Sequence, residues 1–166
     1  MSRRLLIPCV AAAVFAAGCS LIRPFGVIET APLNETILRG AEIDPETIAL
    51  IERACQNCHS LKTALPLYSH VPPISWLIAR DVRQARSHMN LSQWQEYSAS
   101  DRVRLLSEIG SAVRNRQMPV RRYLLLHPEG RLSEKERQQI YEWTRAERSR
   151  LESHKRHREA IASSTR

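Results

Sequence analysis

Two cysteines and a histidine occupy five consecutive positions in the first half of the chain, in the order Cys55-Gln56-Asn57-Cys58-His59. Two thiols three positions apart on a turn of helix can each add to one vinyl group of the same porphyrin. The histidine that follows can supply an axial nitrogen ligand to the iron. The pattern therefore predicts one covalently attached haem c, held by Cys55 and Cys58, with His59 as an iron ligand.

Three other chemistries use a Cys-x-x-Cys pair, and the rest of the sequence disfavours each of them. A structural zinc site needs four nitrogen or sulfur ligands, commonly two pairs, and no cysteine follows Cys58. A thioredoxin-like dithiol lies beside a βαβ pattern, which the sequence lacks. A disulfide between Cys55 and Cys58 would close so short a loop that it removes little chain entropy. Haem attachment is therefore the favoured interpretation.

The second axial position of the iron decides between two kinds of chemistry. A second protein ligand suits electron transfer, whereas an open position permits ligand binding or peroxide chemistry. Met118 is the leading candidate because Pro119 follows it, ends a helix and can hold the thioether in an extended loop. Met118 could instead pack against the porphyrin as a flexible filler. The competing ligands are His70, which is the best alternative, and Met89, His88 and His127, which we interpret as core or surface residues.

The N-terminus carries the features of an export signal. A basic start is followed by a nearly unbroken apolar run of 18 residues from Leu5 to Ile22, which contains Ala16-Ala17-Gly18-Cys19. Small residues before a cysteine resemble the lipobox of bacterial lipoproteins, in which Cys19 would become the lipidated N-terminus. An uncleaved anchor helix is the alternative, since 18 residues can just span a bilayer. Both place the domain on the periplasmic side of a bacterial membrane, so nucleic acid is not an expected partner.

Composition and cysteine count agree with this assignment. The chain has 166 residues, a formal net charge of +8 and 5% aromatic residues, so a large prosthetic group would help to fill a small core. Of the four cysteines, Cys9 lies in the apolar run, Cys19 is the lipidation candidate, and Cys55 and Cys58 take the haem. None is left for a structural disulfide, which is unusual in an exported protein.

The chain divides into four segments by composition. We predict a signal peptide or membrane anchor at 1–22, a tether at 23–42, a haem-binding domain at 43–144 and a basic tail at 145–166 that is helical at first and then disordered. Asp44 and Pro45 predict a helix start, and helical spacing recurs in several later stretches. No alternating strand pattern appears, so we predict an all-α domain. A prolyl carbonyl from residues 60–73 is expected to orient His59.

The sequence resembles the small haem-binding domain family of bacterial exported proteins, a branch of the single-haem c-type cytochromes. The resemblance covers roughly residues 43–144 and rests on residues 55–60, Pro66-Leu67-Tyr68-Ser69, residues 73–77, Asp81-Val82, Leu91-Ser92-Gln93-Trp94, Met118-Pro119, Leu132-Ser133-Glu134 and Trp143. Members usually carry Trp-Pro-Trp-Tyr where this chain has Leu65-Pro66-Leu67-Tyr68. The resemblance implies a cytochrome c-like helical fold, with Cys55, Cys58, His59 and Met118 in the haem-binding roles.

These observations predict a membrane-tethered periplasmic electron carrier that is not an enzyme and exchanges electrons with redox partner proteins. Two alternatives stay open. One is a haem-based sensor or peroxidase-like enzyme with an open sixth iron position. The other is a structural haem module of a larger redox complex, with the basic tail as its docking surface.

Overall fold

The computed structural model describes residues 7–11, 14–15, 18, 22, 24–32 and 34–164. Helices account for all regular structure in these residues, which contain no strand, so the predicted all-α class is confirmed. The α-helices are α1 (Pro45–Ala54), α2 (Gln56–His59), α3 (Ile74–His88), α4 (Ala99–Arg114), α5 (Arg121–Leu126) and α6 (Glu134–Ser164). Short 3-10 helices lie at Leu67–His70, Leu91–Glu96 and Pro128–Gly130.

In the N-terminal segment, residues 7–11, 14–15 and 18 are helical and residue 22 is not. Within the described ranges, no helix is both long enough and apolar enough to cross a membrane. The predicted lipidation residue Cys19 lies outside the described residues.

Helix α1 begins where the sequence predicts and carries the chain into the cysteine motif. The carboxylate of Asp44 accepts hydrogen bonds from the backbone nitrogen of Thr47 at 2.8 Å and from its hydroxyl at 2.7 Å, which satisfies a backbone donor that a helix start leaves free. Pro45 occupies the first turn. Ile51 and Ala54 are buried, so the apolar face of the helix lies on the core.

Helices α4 and α6 form the main scaffold. The buried side chains Leu105, Leu106 and Val113 of α4 and Ile140 and Trp143 of α6 belong to one hydrophobic cluster. The two helices approach closely at a glycine: a Cβ atom on Gly110 would lie 2.6 Å from the Thr144 hydroxyl oxygen. Helix α1 packs against α6, and α2 packs between α1 and α3.

The C-terminal end of the predicted tether packs into the domain. Ile37 and Leu38 are each 2% exposed and belong to the hydrophobic core. The backbone nitrogen of Leu38 also donates to the carbonyl oxygen of Leu91 at 2.9 Å. The packed domain therefore begins before Ile43. The sequence did not indicate this earlier start, because Ile37 and Leu38 are only two apolar residues and show no helical spacing.

The basic C-terminal segment continues α6 without a break, which contradicts the predicted disorder as far as Ser164. Glu147 and Leu151 are buried, and both carboxylate oxygens of Glu147 accept hydrogen bonds from Arg150 at 2.6 Å. These contacts anchor the helix beyond residue 145. Residues 152–164 are exposed, and their many good helix formers favour continuation of the helix.

Candidate functional site

The cysteine motif lies at the junction of α1 and α2. Cys55 is the C-cap of α1, and its carbonyl oxygen accepts hydrogen bonds from the backbone nitrogens of Cys58 at 3.2 Å and His59 at 3.0 Å. This turn brings the three side-chain positions together as the sequence predicts. Both thiols are free, so the structure does not show the alternative disulfide.

His59 is oriented by a backbone carbonyl. Its Nδ1 atom lies 3.3 Å from the oxygen of Met89, and because a carbonyl can only accept, Nδ1 carries the hydrogen. Burial lowers the pKa of His59, so the ring is neutral at neutral pH. The Nε2 atom then keeps a lone pair that can bind a metal.

The expectation that a prolyl carbonyl orients His59 is wrong. The acceptor belongs to Met89, the C-cap of α3. Carbonyl groups at the end of a helix lack intrahelical donors, and His59 supplies one. This pairing joins residues that are far apart in the chain, so no local pattern in the sequence indicates it.

A hydrogen-bond network behind the motif holds its backbone in place. The hydroxyl of Thr63 donates to the carbonyl oxygens of Asn57 at 2.9 Å and Ser60 at 3.1 Å. The guanidinium of Arg86 donates to the Thr63 hydroxyl at 2.8 Å and to the carbonyl oxygen of Glu29 at 2.7 Å. The Nε atom of Arg86 is buried without a hydrogen-bond partner among the described residues. A cation is thus fixed beside the motif.

Both thiols of the motif are uncharged at neutral pH. Burial, with a smaller contribution from Cys58, raises the pKa of Cys55 to about 12. Burial and Asp81 raise the pKa of Cys58 to about 11, against the opposing effect of Arg86 and Arg122. Two protonated thiols close together are the groups that can add to the vinyl groups of a porphyrin.

An aromatic and acidic group that sequence reasoning missed lies beside the motif. We call Tyr68, Tyr123, His127 and Glu129 the His127 cluster. The Nε2 atom of His127 lies 2.7 Å from the Tyr68 hydroxyl, and its Nδ1 atom lies 2.8 Å from a carboxylate oxygen of Glu129. Tyr123 stacks on the imidazole with ring centroids 4.4 Å apart and planes at 14°.

The cluster is connected directly to the cysteine motif. The side-chain amide of Asn57, between the two cysteines, donates to the Tyr123 hydroxyl at 3.0 Å. Both ring nitrogens of His127 have partners, so His127 does not offer a free nitrogen to iron. The sequence indicated only a histidine at a turn. Tyr123 and Glu129 are close to His127 in the chain, but Tyr68 lies 59 residues before it, so local spacing does not reveal the cluster.

Met118 lies in the loop between α4 and α5 and is 38% exposed. Its carbonyl oxygen accepts a hydrogen bond from Arg137 at 3.2 Å, and its backbone nitrogen donates to Ala112 at 3.2 Å. Helix α5 follows this loop and contacts the motif through Tyr123. Iron ligation by Met118 remains a prediction.

The other candidate ligands have distinct surroundings. Met89 is buried, as expected for a core residue. The Nε2 atom of His88 lies 2.8 Å from a carboxylate oxygen of Glu108. His70 is exposed, on the same 3-10 helix as Tyr68.

Large apolar side chains are exposed in two segments near the motif. They are Leu67, Val71, Ile74 and Leu77 in and before α3, and Met118, Leu125 and Leu126 in and before α5. The Asp81–Arg122 ion pair at 2.9 Å and the Tyr68–His127 hydrogen bond join the two segments. Exposed apolar side chains such as these can contact the faces of a porphyrin. With two free thiols and an available imidazole nitrogen, these residues fit a haem.

Comparisons with known proteins agree with this fit. The model of a family described as "Haem-binding domain" matches residues 16–146. Cytochrome c peroxidase Ccp of Escherichia coli (strain K12) is 27% identical over 103 residues, which are 60% of this chain and 22% of the relative. The chain therefore spans about a fifth of the length of that relative. No solved structure matches the chain significantly.

Proposed function

Because the chain belongs to the haem-binding domain family, we propose that it holds one haem c covalently and transfers single electrons between redox partner proteins. The haem iron supplies the one-electron ferric/ferrous couple when bound. The similarity to a cytochrome c peroxidase supports a redox role for the haem, and the all-α architecture is compatible with a cytochrome c-like domain.

We assign the haem-binding roles to four residues. When haem is bound, Cys55 and Cys58 would attach the ring, and His59, through Nε2, and Met118 would be the ligands of the iron. The observation that carries this assignment is the 3.3 Å contact between His59 Nδ1 and the Met89 carbonyl oxygen, which leaves Nε2 available. The apolar side chains near the motif exclude water from the ring, which favours the lower charge of the ferrous state.

The attachment is tested by haem that survives acid-acetone extraction. The full chain should retain its haem under this treatment, whereas the double variant Cys55→Ala with Cys58→Ala should lose it. Cys9→Ala is the matched control, since Cys9 is exposed and outside the motif, and it should retain haem as the unaltered protein does. Covalent haem in the double variant would contradict the proposal.

Ligation by Met118 is tested by optical spectra of the haem-loaded chain in both oxidation states. The ferric protein should show a weak charge-transfer band toward the near infrared, typical of methionine ligation, and Met118→Ala should lose it. Met89→Leu is the matched control and should keep the band. A high-spin ferrous protein that binds carbon monoxide readily before any substitution would contradict the electron-carrier proposal.

A high-spin ferrous protein that binds carbon monoxide would support a second candidate, a sensor or peroxidase-like enzyme with an open sixth position. Two observations favour it: the similarity to a cytochrome c peroxidase and the 38% exposure of Met118. A third candidate is a structural haem module that docks to a larger redox complex through the exposed basic residues of 152–164. Hydrogen peroxide turnover by the purified haem-loaded chain separates the second candidate from the other two.

We place the protein on the periplasmic side of a bacterial membrane, tethered by a lipid on Cys19, which becomes the N-terminus when the preceding residues are cleaved. The proposal rests on the apolar run and the small residues that precede Cys19. Metabolic labelling with a radioactive fatty acid should label the chain, and Cys19→Ser should abolish the label while Cys9→Ser preserves it. A membrane-bound but unlabelled protein would support an uncleaved anchor instead.

A further inference from the structure

The His127 cluster is a continuous hydrogen-bonded series of a phenol, an imidazole and a carboxylate. Tyr68, His127 and Glu129 are linked by contacts of 2.7 and 2.8 Å. The side chain of His127 is 20% exposed, so water can reach it. Such a series can hold a proton at its centre with a partner at each side.

The two outer members keep fixed protonation states at neutral pH. Burial and the nearby Glu129 raise the pKa of Tyr68, so its phenol stays protonated. Hydrogen bonds from its own backbone and from His127 lower the pKa of Glu129, so its carboxylate stays ionised. Imidazole is the side-chain group whose charge changes between about pH 5 and 8. The centre of the series is an imidazole held between these two groups.

The geometry accepts either protonation state of the imidazole without moving heavy atoms. In the neutral ring, Nδ1–H donates to Glu129 and the Tyr68 hydroxyl donates to Nε2. After protonation of Nε2, the hydroxyl hydrogen rotates away and the phenol oxygen accepts from Nε2–H. Glu129 stabilises the imidazolium by charge.

The cluster lies close enough to the cysteine motif to respond to a charge there. Tyr123 stacks on the imidazole of His127 and bonds Asn57 at 3.0 Å. One hydrogen bond and one stacked ring pair therefore connect His127 to the segment between Cys55 and Cys58.

We propose that His127 takes up a proton when the haem attached at Cys55 and Cys58 is reduced, and releases it when the haem is oxidised. This inference rests on the proposed function. On reduction, one electron passes from the donor protein to the iron and one proton passes from water to Nε2 of His127. On oxidation, the electron leaves to the acceptor protein and the proton returns to water. The ferric haem carries one more positive charge, which disfavours a second positive charge nearby.

The charged and titratable groups around His127 are consistent with this assignment. Glu129 and the two tyrosines contact the ring directly. From α1, Arg53 donates to the backbone carbonyl oxygen of Glu129 at 2.6 Å. Its positive charge opposes protonation of His127, whereas the carboxylate in direct contact favours protonation, and the shorter interaction is the stronger one.

The coupling has a definite sign. Reduction raises the proton affinity of His127. In the pH range where His127 is protonated in the ferrous protein and neutral in the ferric protein, reduction is therefore accompanied by uptake of a proton. The midpoint potential therefore falls as the pH rises through that range. Outside this pH range the midpoint potential does not change with pH, because His127 then has the same charge in both oxidation states.

The test is a redox titration of the haem-loaded full chain at a series of pH values from about 5 to 9, the range in which imidazole titrates. His127→Gln should abolish the fall in midpoint potential, and His154→Gln, an exposed histidine on α6, should leave it unchanged. Proton uptake on reduction, measured with a pH indicator dye in weak buffer, should decline in parallel in His127→Gln alone.

Two further variants carry the test if His127→Gln fails to bind haem. Glu129→Gln removes the charge that stabilises the imidazolium and should move the pH-dependent range to lower pH. Tyr68→Phe removes a phenol that pairs with Nε2 in both protonation states, so it should move the range by less. An unchanged range in both variants, or an unchanged pH dependence in a haem-loaded His127→Gln, would overturn the inference.

The two proposals fail in different ways. Loss of covalent haem, or a haem that cannot be reduced and reoxidised reversibly, contradicts the proposed function. A reversible couple whose midpoint potential does not depend on His127 contradicts this inference alone.

Discussion

The Nδ1 atom of His59 lies 3.3 Å from the backbone carbonyl oxygen of Met89. This contact joins the cysteine motif to the end of α3 and requires a hydrogen on Nδ1. It therefore fixes both the orientation of the ring and the nitrogen that is free to bind a metal. Burial lowers the pKa of His59 and keeps the ring neutral.

Removing this imidazole should change the spin state of the iron without releasing the haem. In His59→Ala the two thioether bonds remain, so covalent haem persists, but the ferric spectrum should become high-spin because one strong nitrogen ligand is lost. Added free imidazole should restore the low-spin spectrum. His157→Ala, an exposed histidine of α6, is the control. An unchanged low-spin spectrum in His59→Ala would show that His59 is not the ligand.

The two thiols of the motif should alkylate slowly in the haem-free protein. Burial raises the pKa of Cys55 to about 12 and of Cys58 to about 11, and only the thiolate reacts. Below these values the thiolate fraction rises about tenfold for each pH unit, so the rate should rise with pH. Mass spectrometry after iodoacetamide treatment measures each site.

Glutathione, a free thiol added to the same reaction, is the reference for this experiment. At about pH 8, close to the ordinary pKa of a free thiol, it should react before Cys55 and Cys58. In a denaturing concentration of urea all three should react at similar rates. Equal rates in the folded protein would mean that burial does not protect the motif.

Arg86 should raise the reduction potential of the attached haem. Its guanidinium is held by Thr63 and the Glu29 carbonyl, and its charge lowers the pKa of Cys58. A fixed cation favours the ferrous state, so Arg86→Gln should lower the midpoint potential in a redox titration. Arg83→Gln, on the same helix but exposed, should have a smaller effect because water and salt screen its charge. Equal shifts in the two variants would contradict this prediction.

Gly110→Ala should destabilise the fold at the contact between α4 and α6. The added Cβ would lie 2.6 Å from the hydroxyl oxygen of the buried Thr144, whose short branched side chain has little room to move. We expect a loss of about 1–3 kcal/mol in the free energy of unfolding, the range for overpacked cores.

Urea unfolding followed by circular dichroism measures this loss. Ser111→Ala, one residue away on the exposed side of α4, should change the free energy by no more than about 0.5 kcal/mol. A Gly110→Ala protein as stable as the unaltered one would show that the helices can separate at little cost.

The sequence by itself determined the features that depend on neighbouring residues. The spacing of Cys55, Cys58 and His59 defines the motif, and the structure forms the expected turn there. Asp44 and Pro45 indicated the start of α1, because capping and a fixed proline φ act within one helical turn. The absence of alternating patterns predicted the all-α class, which the described residues confirm.

Tertiary structure decided which distant groups meet. It supplied the Met89 carbonyl for His59 in place of a proline, and it buried Ile37 and Leu38, which the sequence assigned to a tether. It also kept the basic segment helical as far as Ser164.

In the His127 cluster, tertiary structure supplies Tyr68, which lies 59 residues before His127, whereas Tyr123 and Glu129 are close to His127 in the chain. The contacts of His59 with Met89 and of Tyr68 with His127 do not follow from local spacing, because each depends on how the helices pack and which donors and acceptors remain free at their ends. The motif can thus be identified from five adjacent residues, while the groups that orient and tune it are fixed only by the packed fold.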